Sequence, residues 1–409
     1  MSMDLGVSDR LKPILEKVTK LMREDVLDAD VEFHQEVGKT GDRWKMSDRQ
    51  HEIINTLQAK AKEQNLWNFW LTDSEKGYGL STVEYAHLAE QMGWCVLGPQ
   101  VFNCSAPDTG NMEVLERYGN EEHKKQWLEP LLESKIRSAY LMTEPDVASS
   151  DATNLKFEAK LEGDEYVFNG EKYWSSGAGD ERCQVYILMA RTAGDEAPRH
   201  SQHSMFVLAA DTPGIEVKRA MTVFGHDDAP HGHMHLKFDN VRVPKSALLL
   251  GEGRGFEVSQ GRLGPGRIHH CMRAIGQAER ALELMCKRSM SRVAFGRPLA
   301  KLGGNYDIIA DCRIGIEQAR LLCLKAAWMM DQGDPSAAAP WISQIKVVAP
   351  NMALKVIDEA IQMYGGTGIS QDTPLADMYA QMRTLRFADG PDAVHRMQVA
   401  RKELSQYRA

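Results

Sequence analysis

Apolar residues recur at three- and four-residue spacing through the first third of the chain. Leu11, Ile14, Leu15, Val18 and Leu21 make one stripe, and Ile53, Ile54, Leu57 and Ala61 another. That period puts each set on one face of a helix, so the spacing predicts a helical stretch from Ser8 to about Arg137. Two Gly- and Pro-bearing clusters, Lys76-Gly-Tyr-Gly79 and Leu97-Gly-Pro99, are its expected breaks. The character changes near Ser138. Glu165-Tyr-Val-Phe-Asn-Gly-Glu171 sets Asn-Gly between short β-prone runs, which predicts a hairpin. Gln184–Met189, Ser204–Leu208, Gly214–Lys218 and His235–Phe238 follow as further strands at short intervals. After Asn240-Val-Arg-Val-Pro244 the helical period returns in three stripes: Ile275, Ala278, Leu282 and Met285; Ile309, Cys312, Ile316 and Ala319; Val348, Met352, Val356, Ala360 and Met363.

This order predicts an α+β multi-domain chain with an N-terminal helical domain over 1–137, a central antiparallel β-domain over 138–252 and a C-terminal four-helix-bundle-like domain over 253–409. Strands gathered in one block, rather than alternating with helices, argue against a doubly wound sheet. A length of 409 residues allows two or three packed units.

Composition narrows the class. With 43% hydrophobic and 26% charged residues the chain is an ordinary globular one, and a net charge of −8 offers no basic field to nucleic acid. No polybasic run addresses a membrane surface, and no apolar run reaches the length of a span. The seven cysteines are scattered and contain no C-x-x-C pair, which favours a reducing compartment. The N-terminus carries two acids before its first base and no apolar stretch, unlike a signal or transit peptide. A cytoplasmic protein is the expectation.

Two segments carry candidate chemistry. Tyr140-Leu-Met-Thr-Glu-Pro-Asp-Val-Ala-Ser-Ser-Asp151 and Lys172-Tyr-Trp-Ser-Ser-Gly177 each set hydroxyls and small-residue amides beside an aromatic ring. That combination suits a planar, polar-edged cofactor such as a flavin, stacked on one face and hydrogen-bonded along its rim. By composition alone the simpler reading is a turn at Glu144-Pro145 and a strand aromatic packed between sheets, and what tilts the balance is the two segments occurring together at this separation. Gly251-Glu-Gly-Arg-Gly255 has the wrong spacing for a dinucleotide loop and reads as a turn leading into a helix. His231, His233 and His235 alternate as zinc ligands on a strand could, but a solvated strand face is the simpler reading.

Together the two segments resemble the middle domain of the acyl-CoA dehydrogenases, and the likeness extends over essentially the whole chain. The resemblance implies that Thr143 contacts the pyrimidine end of FAD, that Trp174 stacks beside the ring and that the Ser176 hydroxyl reaches N5, with Tyr140 and Met142 in the same cofactor-binding segment. The turn is one residue longer than the family's common Glu-Pro-x-Ala-Gly-Ser-Asp. Ser149 or Ser150 therefore falls where the family touches flavin phosphates or the CoA of the substrate. Arg292-Val-Ala-Phe-Gly-Arg-Pro-Leu299 is similar to the family's R-x-x-F-G-x-P-L, which gives Arg292 and Phe295 to the dinucleotide of a neighbouring subunit; locally it is also a basic helix end stopped by Gly296 and Pro298. Ile361-Gln-Met-Tyr-Gly-Gly-Thr-Gly368 resembles the loop that closes over the same dinucleotide, through Gln362, Gly365 and Gly366; as a bare pattern it is a helix C-cap. Contacts from a partner imply a homodimer or homotetramer.

Thioester dehydrogenation needs a base for the α-proton. Where the family usually has Glu-Gly, this chain has Asp389-Gly390 in Arg386-Phe-Ala-Asp-Gly-Pro-Asp-Ala-Val-His395, a form similar to a subgroup of the family. Asp389 is the expected base; by local spacing alone it is a helix cap ahead of Pro391 and Asp392. The stretch Gly261–Arg267, which supplies the base in some relatives, holds no acid, and Arg267 matches an arginine that supports the carboxylate or the substrate. His269, His270 and His395 read as ordinary residues. The implied reaction is FAD-dependent conversion of an acyl-CoA to its trans-2-enoyl-CoA in fatty acid β-oxidation, with electron-transfer flavoprotein as acceptor. A flavin oxidase on the same fold, acting on acyl-CoA or on nitroalkanes, and a non-catalytic acyl-CoA-binding protein are the alternatives.

Overall fold

Serines decide where two of the N-terminal helices begin. Ser47 Oγ accepts from Gln50 N (3.2 Å) while Gln50 Oε1 accepts from Ser47 N (3.0 Å), opening the helix Asp48–Glu63. Ser81 and Glu84 repeat this reciprocal box at Thr82–Met92. Each box satisfies two amides that a helix start otherwise leaves unpaired. The structure, a computed structural model, describes residues 3–71 and 77–407. Lys76, at the edge of one expected break, lies outside the described residues. The chain gathers into two compact units. One comprises Met1–Asp30, Phe69–Gln100 and Gly264–Ala409; the other comprises Val31–Asn68 and Val101–Leu263. The division into 1–137, 138–252 and 253–409 follows the order of helical and strand-rich stretches, and both units draw on more than one of those stretches.

The first unit is helical. Pro335–Tyr364 packs on Asn305–Asp331, on Leu375–Leu385 and on Asp392–Ser405, and Asn305–Asp331 also packs on Thr82–Met92. Asp334 opens Pro335–Tyr364 by accepting from the amides of Ser336 and Ala337, with Pro335 preset in the first turn. Glycine permits the closest approach. A Cβ on Gly93 would stand 2.5 Å from Arg273 Cα, and one on Gly276 2.1 Å from Glu90 O. Arg320 then forks onto Glu90 (2.9 Å to each oxygen) and onto Glu279. Arg292-Val-Ala-Phe-Gly-Arg-Pro-Leu299 is not a helix end: the helix Gly255–Ser291 stops before it, and Val293–Ala294 pairs with Arg297–Pro298 as a short ribbon.

The second unit holds the sheet: β1 (Arg137–Leu141), β2 (Glu158–Glu162), β3 (Glu165–Ser176), β4 (Cys183–Arg191), β5 (His203–Ala209), β6 (Ile215–Ala220), β7 (His233–Pro244) and β8 (Leu248–Leu249). The order is β6-β7-β3-β2-β4-β5-β8, with β1 on β4. The expected antiparallel domain is corrected at two pairings: β1 runs parallel to β4, with Ala139 opposite Tyr186 and Leu141 opposite Leu188, and β2 meets β4 in parallel at Glu158 and Arg191. Strands this far apart in sequence are joined by a long crossover, which permits the parallel sense. A second correction concerns Asn169-Gly170. β3 continues through it, and the register slips between Phe168 and Gly170 against β7. Gly170, at φ 130°, makes a bulge, and the hairpin turn stands earlier, at Gly163 (φ 63°) between β2 and β3. The buried face is aromatic: Phe168 meets Phe206 edge-on with centroids 5.0 Å apart, and Phe157 meets Phe238 at 5.1 Å. Each such side chain contributes about 1.5–3 kcal/mol by leaving water.

Candidate active site

In the second unit, the Thr143-Glu144-Pro145 turn is tied to β3 through one buried cation. Lys172 is 0% exposed, and its Nζ donates to Met142 O (2.9 Å) and to Glu144 Oε1 (3.0 Å). Glu144 also accepts from the amides of Lys156 (2.8 Å) and Phe157 (3.1 Å). Tyr173 N donates to Thr143 O (2.8 Å) and Ser149 Oγ accepts from Glu144 N (2.9 Å), so the turn has little freedom. Burial lowers the Lys172 amine to about 8 against the opposing pull of Glu144. Ser149 is thus committed to the turn, while Ser150 is exposed.

Trp174 follows Lys172 where the β3–β7 register slips between Lys172 and Ser175. Its φ of 55° is unusual for a residue with a side chain, and its ring remains 36% exposed. Register sets Ser176 opposite His233, and Ser176 Oγ lies 2.8 Å from His233 Nδ1. Tyr140 donates its hydroxyl to Ser259 Oγ (3.1 Å) beneath the Arg262 guanidinium, 3.9 Å from the ring centroid, and Ser259 also approaches Met142 Sδ (4.0 Å). The histidines do not form the solvated face expected of them. His235 is buried and bonded to Glu171 (2.7 Å), and burial with nearby Arg137 lowers His231 to about 4. Among the described residues no His, Cys, Asp and Glu cluster is arranged to hold a metal.

In the first unit, Asp389 does not cap a helix. Pro391 takes the N-cap of Asp392–Ser405 with no side-chain cap, and Asp392 pairs with Arg386 (2.7 Å). Asp389 has a φ of 57° and Gly390 one of 105°, in a turn held by its carbonyls. Arg267 Nε donates to Asp389 O (3.0 Å), and His395 Nε2 lies 3.2 Å from the same oxygen. Lys346, 1% exposed, donates to Leu385 O and Ala388 O at 2.7 Å each. His270 Nε2 stands 3.6 Å from Asp389 Oδ2, and the Arg273 guanidinium meets its other nitrogen at 3.2 Å. His270 and His395, expected to be ordinary, therefore belong to this turn. Burial, with Arg267 and Lys346 close by, lowers His395 to about 4 and keeps it neutral at neutral pH.

Arg267 thus meets Asp389 at its backbone carbonyl rather than at the carboxylate, and Thr143, Trp174 and Ser176 share one region of β3 and its adjoining turn. Arg292, Phe295, Gln362, Gly365 and Gly366 are exposed residues of the helical unit; Phe295 is 94% exposed. A Cβ on Gly365 or Gly366 would meet nothing within 4 Å, so the backbone there borders open space. Spacing along the chain did not point to Lys346 or Asp228, and it singled out His233 only as one of three alternating histidines, not as a partner of Ser176. The available signal for Lys346 was a lone charge inside the apolar run Ile345-Lys-Val-Val-Ala349.

Three acyl-CoA dehydrogenase domain profiles match the chain in order: the N-terminal domain over 23–135, the middle domain over 139–241 and the C-terminal domain over 253–404. Acyl-CoA dehydrogenase family member 10 of Mus musculus is 52% identical over 98% of this chain, which spans only 37% of that protein; several further relatives are matched over about half their length. Probable acyl-CoA dehydrogenase FadE2 of Mycobacterium tuberculosis is 52% identical, with 86% of each chain covered. A solved structure from Mycobacterium abscessus, put forward as an acyl-CoA dehydrogenase, superposes with a TM-score of 0.94 at 50% identity, covering 98% of this chain and 100% of that one. By these domains, this identity and this fold, the chain belongs to the acyl-CoA dehydrogenase family.

Proposed function

We propose that this protein dehydrogenates an acyl-CoA thioester to the trans-2-enoyl-CoA, with Asp389 as the base that takes the α-proton. The observation that carries this reading is the Asp389–Gly390 turn. A short acid at positive φ is anchored through carbonyl oxygens by Arg267, His395 and the buried Lys346, which orders the backbone from which the carboxylate projects. Such fixed placement is what general-base catalysis demands of a side chain.

FAD is the cofactor that family and fold imply, and the residues fit it. Thr143 sits on a turn locked by Lys172, Trp174 lies on β3 with its side chain left partly exposed, and Ser176 supplies a hydroxyl on the same strand. Tyr140 and Met142 back this region. Arg292, Phe295, Gln362, Gly365 and Gly366 are exposed, as a contribution to a neighbouring subunit's dinucleotide requires, which supports a homodimer or homotetramer as the working assembly. Bound FAD supplies the acceptor for the hydride leaving the β-carbon. Arg267 neutralises charge beside the base, and Ser150, rather than the committed Ser149, is offered to the CoA. Electron-transfer flavoprotein is the proposed acceptor of the electrons and fatty acid β-oxidation the setting. No helix of the described residues is long and apolar enough to cross a membrane, and all seven cysteines are free thiols, in keeping with a cytoplasmic location.

The test is anaerobic titration of the purified flavoprotein with acyl-CoA thioesters of increasing length. Bleaching of the oxidised flavin band is expected. In Asp389→Asn the flavin is retained and bleaching slows by about 10²–10⁴-fold. A flavin that no thioester bleaches overturns the reading, and rapid reoxidation by oxygen after bleaching turns it toward an oxidase.

A further inference from the structure

Ser176 and His233 are cross-strand partners, and the contact continues one step further. His233 Nε2 lies 3.4 Å from Asp228 Oδ2, so a serine hydroxyl, an imidazole and a carboxylate stand in line. The backbone beneath them is fixed. Gly177 N donates to Gly232 O (2.9 Å), and Gly232 holds φ 64° where a Cβ would fall 2.5 Å from the Trp44 ring. The Trp174 ring centroid lies 5.9 Å from that of His233. Burial pushes the Asp228 carboxyl up, but the hydrogen bond from His233 and the nearby His231, His233 and His34 bring it below its ordinary value. Asp228 is therefore an anion at neutral pH.

The line has a direction. A carboxylate only accepts, so Asp228 favours the tautomer of His233 that carries its proton on Nε2, which leaves Nδ1 bare. A bare Nδ1 at 2.8 Å accepts the Ser176 hydroxyl proton. The lone pairs of Ser176 Oγ then face any other neighbour. An isoalloxazine N5 accepts a hydrogen bond when oxidised and carries an N–H donor when reduced, so a hydroxyl presenting lone pairs matches the reduced form.

We propose that His233 and Asp228 are positioning residues that turn the Ser176 hydroxyl into an acceptor toward the flavin and thereby favour its reduced form. This rests on the reading above that Ser176 faces N5. Loss of His233 frees Ser176 to donate to oxidised N5, which disfavours reduction.

The test is the midpoint potential of the FAD-loaded protein, equilibrated with a reference dye without acyl-CoA. His233→Ala is expected to move the reduction equilibrium about tenfold toward oxidised flavin, about 30 mV for a two-electron couple. The same substitution in a Ser176→Ala background is expected to move it less than about twofold, because the hydroxyl it orients is gone. His233→Gln retains size and a reach to Asp228 but removes the acceptor at Nδ1, so it behaves as His233→Ala and serves if the alanine variant does not fold. His233→Asn, whose amide oxygen falls near the Nδ1 position, restores most of the potential. An equal shift with and without Ser176, or no shift in either variant, overturns the proposal. A purified protein without flavin overturns the functional reading itself and this inference with it, a result distinct from either.

Discussion

A fully buried lysine with no carboxylate in hydrogen-bond contact is costly, and Lys346 carries that cost where the candidate base is held. Burial lowers its pKa, yet it gives hydrogen bonds to Leu385 O and Ala388 O, the carbonyls just ahead of Asp389. Lys346→Met preserves the apolar stem and removes the charge, leaving the buried Leu385 carbonyl and the partly buried Ala388 carbonyl without this donor. The expected outcome is a loss of about 1–3 kcal/mol in chemical denaturation. Because the turn loosens, kcat in the acyl-CoA assay should also fall at least tenfold with KM little changed. A loss of stability with kcat intact would make Lys346 a purely structural residue. Lys346 shows a limit of pattern reading, since a charge between Ile345 and Val347 differs from a surface lysine only once the helix is seen to be enclosed on several sides by its neighbours.

At the scale of the element, β3 organises the proposed flavin half-site through three successive contacts. Lys172 points inward to Glu144, Trp174 turns outward at positive φ, and Ser176 meets His233 on β7. The alternation of a strand explains why every second residue faces the same way, and the slipped register between Lys172 and Ser175 explains why Trp174 departs from it. Glu144→Gln tests the first contact. It leaves Lys172 buried and charged beside a neutral amide, with an expected cost of about 3–5 kcal/mol and weakened retention of FAD on dilution. Unchanged flavin affinity would show that the Thr143 turn does not depend on that pair. The two segments containing Thr143, Trp174 and Ser176 were legible because the motif is local. His233 and Asp228 were not, because 57 residues separate His233 from Ser176 and only the β3–β7 register brings them together.

Across the whole molecule, several histidines are held neutral by burial. His231 and His395 are lowered to about 4, and His269 lies well below its ordinary value beside Arg273 and His270. Between about pH 6.5 and 4 the unfolded chain binds protons at these positions and the folded chain does not, so stability rises with pH across that window and is lost on acidification. Each histidine contributes a slope of up to about 1.4 kcal/mol per pH unit. Denaturation midpoints measured from pH 7 to 4.5 should fall steeply, and less steeply in His395→Gln; a flat profile would contradict the burial of these rings. The order of helices, strands and helices, and the motif residues from Thr143 to Asp389, were determined by the sequence itself, because helical period, strand propensity and short motifs are properties of neighbouring residues. Which groups surround those residues was decided only by the tertiary structure. The parallel β1–β4 pair, the bulge at Gly170, the carbonyl anchors of Lys346 and the line from Ser176 to Asp228 all depend on contacts between distant segments. Such contacts leave no period or spacing in the chain, since burial and register arise only when separate elements pack.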